Sequence, residues 1–123
     1  MEEKSIFLER EGYTPKNKVL DFLITAQDFD YSLKEIAKHS KVSYPCIKQL
    51  KKELLKGKWI VLTRKIGKAQ LYKLNINNKK VHKFIEFFWS VVNEEVEKQL
   101  DVGKSHIHSS DGPIAASVSA KSI

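Results

Sequence analysis

Apolar residues recur at helical steps in three short stretches of the first half of the chain, then give way to two β-rich runs, then recur over one long run. Val19, Leu20, Leu23 and Ala26 fall three or four apart, with Phe22 and Ile24 broadening the stripe. Thr14 followed by Pro15 starts that helix, because a threonine hydroxyl can accept from a free N–H and proline is tolerated in the first turn. Gln27, Asp28, Phe29 and Asp30 end it. Leu33, Ile36 and Ala37 form the inner face of a second, short helix, and Ser32 with Glu35 three residues later has capping-box spacing. A third helix begins after Ser43 with Pro45 near its start. Ile47, Leu50 and Leu54 line its inner face, Leu55 lies beside them, and Gly57 provides the stop. Trp59–Arg64 and Ala69–Leu74 are rich in β-formers, and Gly67 between them can take a positive φ, so the pair reads as a hairpin with a basic tip. The long run, Lys79–Leu100, carries Val81, Phe84, Ile85, Phe88, Val92, Val96 and Leu100 at three- and four-residue steps. The segment Ile6–Tyr13 has no clear element; packing on a second subunit and an added strand are both open.

These elements divide the 123 residues into an N-terminal extension (1–13), a domain of three helices and a hairpin (14–76), a C-terminal helix (77–100) and a tail (101–123). From Asp101 the composition shifts to Ser, Gly, Ala and Lys without periodicity, which predicts disorder. The apolar fraction of 41% suffices for one modest core.

Charge changes the picture more than composition does. The net charge is +7, but its distribution is uneven. Lys34–Lys83 holds fifteen Lys or Arg against Glu35 and Glu53 alone, while Met1–Leu33 and Phe84–Ile123 are each net −3. A basic centre between mildly acidic flanks is the footprint of a surface that meets phosphates; a solvated lysine-rich face has the same composition.

Other chemistries find little support. Cys46 is the single cysteine, so no intrachain disulfide forms, which suits a reducing compartment. The N-terminus has an apolar run of three residues between charges and does not read as a signal peptide. No stretch approaches the roughly 18 apolar residues of a membrane span. The expectation is a cytoplasmic protein with no membrane partner. His39, Cys46, His82, His106 and His108 are the only soft-ligand candidates, and their spacing matches no metal motif, so no metal and no cofactor are expected. Cys46 reads as a packing residue, with a redox role the sharper alternative. No phosphate-cradling glycine loop or catalytic constellation appears, and Asp21, Asp28, Asp30, Glu94, Glu95 and Glu97 read as solvated acids. An enzyme is not expected.

The spacing between the second and third helices is more specific. Ala37 is small where two helices cross closely, Val42 plugs the turn, and Ile47 and Leu50 anchor the second helix. The run Leu33-Lys-Glu-Ile-Ala37, then Val42-Ser-Tyr-Pro-Cys-Ile-Lys-Gln-Leu50, then Leu54-Leu-Lys-Gly-Lys-Trp-Ile60 and the hairpin resembles the helix-turn-helix of winged-helix transcription regulators such as the Lrp, MarR and ArsR groups. The resemblance covers Pro15–Leu74, about half the chain. Such motifs often place glycine in the turn; Lys41 stands there, at a cost of about 1 kcal/mol.

The resemblance implies a mainly α fold with a small β-hairpin wing, a winged helix-turn-helix followed by a long C-terminal helix. It implies double-stranded DNA as partner, with the third helix in the major groove. Tyr44, Lys48, Gln49, Lys51 and Lys52 are then the outward residues. Gln pairs bidentately with adenine and Lys donates to guanine. Ser43 and Tyr44 can meet phosphate at the helix start. Arg64, Lys65 and Lys68 match the wing contacts to the minor groove or its flanking phosphates.

The long helix is apolar on more than one face. Phe84 and Val91 can cover the core, which leaves Phe88, Trp89, Val92 and Val96 as a candidate homodimer interface, with Ile6, Phe7 and Leu8 as possible additions. A two-fold dimer would read a pseudo-palindromic site. The expected function is sequence-specific DNA binding by a dimeric transcription regulator, a repressor acting by occlusion. An origin- or centromere-binding protein of a plasmid or virus, an architectural DNA-coating protein and a winged helix used for protein contact are the alternatives. Nothing in the sequence specifies a small-molecule effector.

Overall fold

The computed structural model describes residues 5–103, and the side chains of residues 5–100. His106, His108 and residues 104–123 of the expected tail lie outside the described residues. The element order is α1 (Ile6–Glu11), α2 (Pro15–Thr25), β1 (Tyr31–Ser32), α3 (Leu33–Ser40), α4 (Tyr44–Lys56), β2 (Ile60–Ile66), β3 (Ala69–Leu74) and α5 (Lys79–Gly103). The chain divides into two compact units at Val91/Val92; the core, the sheet and the groove described below all belong to the first.

Each helix begins where a side chain satisfies an N–H that the helix itself cannot. Ser5 accepts from the Leu8 N–H, Thr14 from Asn17 at 3.1 Å, and Ser43 from Cys46 at 3.2 Å. The capping box of α3 is complete: the Ser32 hydroxyl accepts from the Glu35 N–H at 3.2 Å, and the Glu35 carboxylate accepts from the Ser32 N–H at 2.9 Å. Asn78 opens α5 in the same way, accepting from Val81.

Helices α3 and α4 end alike, and not as a glycine rule would have it. Lys41 and Lys58 both take the left-handed conformation at φ 62°. The next residue then reaches back over the last turn: Val42 N–H donates to Ala37 at 3.1 Å, and Trp59 N–H to Leu54 at 2.8 Å. Gly57, expected to provide the stop, sits at φ −82° and leaves the left-handed position to Lys58. A Cβ on Gly57 would lie 3.0 Å from the Trp59 ring, so its smallness serves packing rather than torsion.

The sheet has three strands in the order β1-β3-β2, all antiparallel. The hairpin of β2 and β3 extends to Ile66, two residues beyond the expected strand end, and turns through Gly67 (φ +62°) and Lys68. A positive φ at the first turn residue alone follows the II′ pattern, which suits the strand twist. Thr63 is an extra residue on β2: Leu62 faces Tyr72 and Arg64 faces Leu71. That bulge bends the strand. Strand β1 was not expected. Two residues carry no readable alternation, and the strand exists only because Tyr31 and Ser32 lie against Tyr72 and Leu71.

The core gathers Val19, Leu20, Leu23, Ile36, Ile47, Leu54, Ile60, Leu74, Val81 and Phe88, each nearly or fully buried. Segment 6–13 is neither a strand nor an outlying extension. Its α1 helix docks on the chain's own core, with Phe7 only 1% exposed against Phe84, Phe87 and Phe88 at ring distances of 5.8, 6.3 and 4.8 Å. This answers the subunit-packing alternative for Phe7 and Leu8: both are buried within one chain. The Ser5 hydroxyl adds a 2.8 Å bond to Asp21, and burial pushes that carboxyl above its ordinary value while the Ser5 bond opposes the shift. Asp21 is therefore not a solvated acid. Among the described residues, no helix is long and apolar enough to cross a membrane.

Candidate nucleic-acid interface

Helix α4 buries Ile47 and Leu54 and half-buries Leu50, which fixes which of its faces looks outward. Tyr44, Lys48, Gln49 and Lys52 are exposed on it, and Lys51 is half-buried at its margin. Between this face, the start of α3 and the base of the hairpin lies an open groove of about 730 Å³. Helix α4 contributes Tyr44, Pro45, Lys48, Gln49, Lys51 and Lys52 to its walls. The α3 side contributes Ser32, Leu33 and Lys34, and the hairpin contributes Lys68, Ala69, Gln70 and Tyr72. Five lysines and no carboxylate line it, so a polyanion entering it meets no repulsion from the walls.

Local contacts give the lining direction. The Lys48 ammonium lies 5.4 Å from the centre of the Tyr44 ring, close enough for the ring face to attract it. The Tyr72 hydroxyl donates to the Gln70 side-chain oxygen at 3.0 Å, which leaves the Gln70 amide NH₂ as a donor. Gln49, on the α4 wall, adds a second amide able to donate and accept together.

No family model matches the chain, and no curated protein matches it. Solved structures do. MepR, a transcription regulator of the Staphylococcus aureus multidrug efflux pump MepA, superposes with a TM-score of 0.58 and 18% identity, over 76% of this chain and 67% of its own. A MepR mutant bound to an oligodeoxyribonucleotide gives 0.58 and 19%, over 85% and 72%. The adhesin competence repressor AdcR of Streptococcus pyogenes gives 0.56 and 13%, over 84% and 76%. The fold is a winged helix-turn-helix. Helices α3 and α4 are its helix-turn-helix, Lys41 and Val42 its turn, and β2 with β3 its wing.

The winged helix brings six of the nine expected DNA residues into one groove: Tyr44, Lys48, Gln49, Lys51, Lys52 and Lys68. Ser43 stands at the start of α4 outside the groove lining, its oxygen taken by the Cys46 N–H. Lys65 and Arg64 lie on the exposed strand β2, and neither lines the groove. Arg64 is held by Asp30, its Nε 3.0 Å from Oδ2 and its Nη2 3.1 Å from Oδ1. Asp30 is thus not the solvated loop acid expected: the Arg64 and Thr63 bonds hold its carboxyl down to about 2. The reading by sequence missed Lys34 and Gln70. Lys34 sits in the first turn of α3, a helix read only as support. Gln70 shares a strand face with Tyr72 by two-residue alternation, a signal that was present but not used.

The apolar residues of α5 separate differently from the expectation. Phe88 is buried at 2% exposure with its ring 4.8 Å from Phe7, so it belongs to the chain's own core and leaves the interface set. Its partner is Phe7 of the N-terminal segment, a contact between residues 81 positions apart that helical periodicity does not encode. Trp89 and Val96 remain exposed, as do Phe87 and Leu100, and Val92 is half-buried. Among the described residues no group of three or more His, Cys, Asp or Glu side chains is placed to hold a metal ion. His39 stacks on Phe22 and His82 sits beside Glu86.

Proposed function

We propose that this winged helix binds double-stranded DNA as a homodimeric transcription regulator, with α4 in the major groove, the wing on the flanking duplex, and repression by occupation of promoter DNA. The observation that carries this reading is the carboxylate-free groove, in which five lysines and two glutamines converge from α3, α4 and the wing. Lysines neutralise phosphates and position the protein, while amide and ammonium groups on α4 read base edges. The same fold holds an oligodeoxyribonucleotide in the MepR mutant complex. Pairing of two copies is supported by Phe87, Trp89, Val96 and Leu100, which α5 leaves 39–59% exposed, so that completing their burial would contribute about half of the roughly 1.5–3 kcal/mol that a fully exposed side chain gains.

The test uses duplexes selected by the protein from random-sequence DNA, measured by fluorescence anisotropy across a salt series. Lys48→Ala with Gln49→Ala should erase preference for the selected sequence, a change of about 1–3 kcal/mol per bidentate pair. Lys51→Ala with Lys68→Ala should weaken binding to every sequence and flatten the salt slope by about 0.9 for each phosphate no longer neutralised. Retention of no duplex at low salt would sink the DNA reading. Trp89→Asp with Val96→Asp should yield a 14 kDa species by sedimentation equilibrium, where the parent sediments as twice that mass. A parent that stays monomeric at high micromolar concentration would remove the dimer alone.

A further inference from the structure

Asp30 lies in the loop between α2 and β1, 34 residues from Arg64 in sequence, yet its side chain is only 15% exposed and faces β2. One carboxylate oxygen accepts from Arg64 Nε at 3.0 Å and the other from Nη2 at 3.1 Å. The first oxygen also accepts from the Thr63 hydroxyl at 2.5 Å, and that hydroxyl lies 3.2 Å from the Leu71 carbonyl across the hairpin. Thr63 is the bulge residue of β2. One carboxylate therefore grips the strand at the point where it bends, and grips the side chain that follows.

The manner of pairing matters more than its strength. An ion pair with one partner in solvent contributes little to stability, so stability alone gives small reason for this arrangement. The contact is side-on: it uses Nε–H and one Nη2–H of the five N–H groups of the guanidinium. The end-on fork of Nη1 and Nη2 stays open, and the Arg64 side chain remains 60% exposed. A guanidinium fixed along one edge and open along the next presents two parallel donors at small entropic cost, a geometry that a flexible lysine cannot supply. Asp30 also leads directly into β1 and the Ser32 cap of α3, so the grip ties the wing to the helix-turn-helix rather than to itself.

Resting on the DNA-binding reading above, we infer that Asp30 is a positioning residue of the interface: it sets the wing at the Thr63 bulge and aims the open edge of Arg64 at paired acceptors on the duplex flanking the α4 site. These acceptors are either phosphate oxygens or base-edge atoms of the minor groove. Both present acceptor pairs to the fork, and the experiment separates them.

The test takes the full chain with Asp30→Asn, Arg64→Lys and the pair combined, on a duplex that the parent selects from random-sequence DNA. Removing an acid beside a polyanion should, by charge alone, tighten binding. Positioning requires the opposite sign: Asp30→Asn weakens binding by about 5- to 100-fold, the range spanned by one well-made bidentate interaction. Arg64→Lys keeps the charge and weakens binding to a similar extent. The combined variant is no weaker than either single one, because both changes remove the same interaction. If the acceptors are phosphates, each variant loses the same factor on every flanking sequence, while the salt slope, set by cations that both variants retain, holds. If they are minor-groove atoms, the loss falls on the preferred flanks alone and the parent's preference between A·T and G·C flanks disappears. Far-UV circular dichroism verifies folding, and Arg64→Lys, at an exposed site, carries the test if Asp30→Asn does not fold. An Asp30→Asn or, where that variant is unfolded, Arg64→Lys chain that binds like the parent or more tightly overturns the inference while leaving the DNA reading intact, as do additive effects in the combined variant. A parent that binds no duplex overturns both.

Discussion

Replacing Phe7 by alanine tests whether a six-residue N-terminal helix is part of the core. Its ring is 1% exposed and meets Phe84, Phe87 and Phe88 within 6.3 Å. Losing the transfer free energy of a buried phenyl group costs about 2–3 kcal/mol. The space left among three rings adds about 1–2 kcal/mol where the surroundings cannot collapse. The expected loss is therefore about 4 kcal/mol, a large share of the stability of a small domain. One process limits it. A six-residue helix does not persist alone, so α1 can undock and unravel, which caps the loss at its whole docking free energy. Urea unfolding followed by circular dichroism and by the fluorescence of Trp59 and Trp89 reads the change. With m near 2 kcal/mol/M, the midpoint falls by about 2 M. Phe88→Ala, which removes the facing ring, should combine with Phe7→Ala less than additively, because the two rings pack on each other. A loss below about 1 kcal/mol would refute the docking of α1. A loss that varied with protein concentration would mean that Phe7 packs on a second copy instead.

Two further outcomes follow from local geometry. Lys58→Gly and Lys41→Gly should each raise stability by up to about 1 kcal/mol, since both lysines hold φ at 62° where glycine alone is unstrained; thermal melts that move downward would contradict this. Asp30 is held at about 2 against an ordinary 3.8, first by the Arg64 bond and then by Thr63, and a depressed acid contributes stability that is present above its unfolded value and lost as pH falls through the folded one. The melting temperature of the parent should therefore drop more steeply than that of Asp30→Asn between about pH 4 and pH 2, and parallel curves would show that the pair adds nothing to stability.

Much of the candidate interface was legible because it depends on one helix whose inner face is unambiguous. Ile47, Leu50 and Leu54 take the core side, and a period of 3.6 then dictates that Tyr44, Lys48, Gln49 and Lys52 look outward. The wing residues were less legible. Alternation gives the face of a strand residue but not its neighbour across 34 positions, and the Asp30 partner of Arg64 depends on where the α2–β1 loop passes. Lys34 and Gln70 are exposed side chains of ordinary type; only the meeting of α3, α4 and the hairpin places them in one groove.

Local order was written into the residues themselves: the caps at Thr14, Ser32 and Ser43, the turn at Gly67, and the inner stripes of four helices. These follow from interactions spanning three or four residues, which periodicity and side-chain chemistry encode directly. The rest came from packing. It made Tyr31 and Ser32 a strand by laying them against β3, drew Phe7 and Phe88 into one core, and let lysines hold the left-handed positions that glycine would take at lower strain. Contacts between residues distant in sequence carry free energies larger than local preferences, so they choose among elements that local patterns leave open.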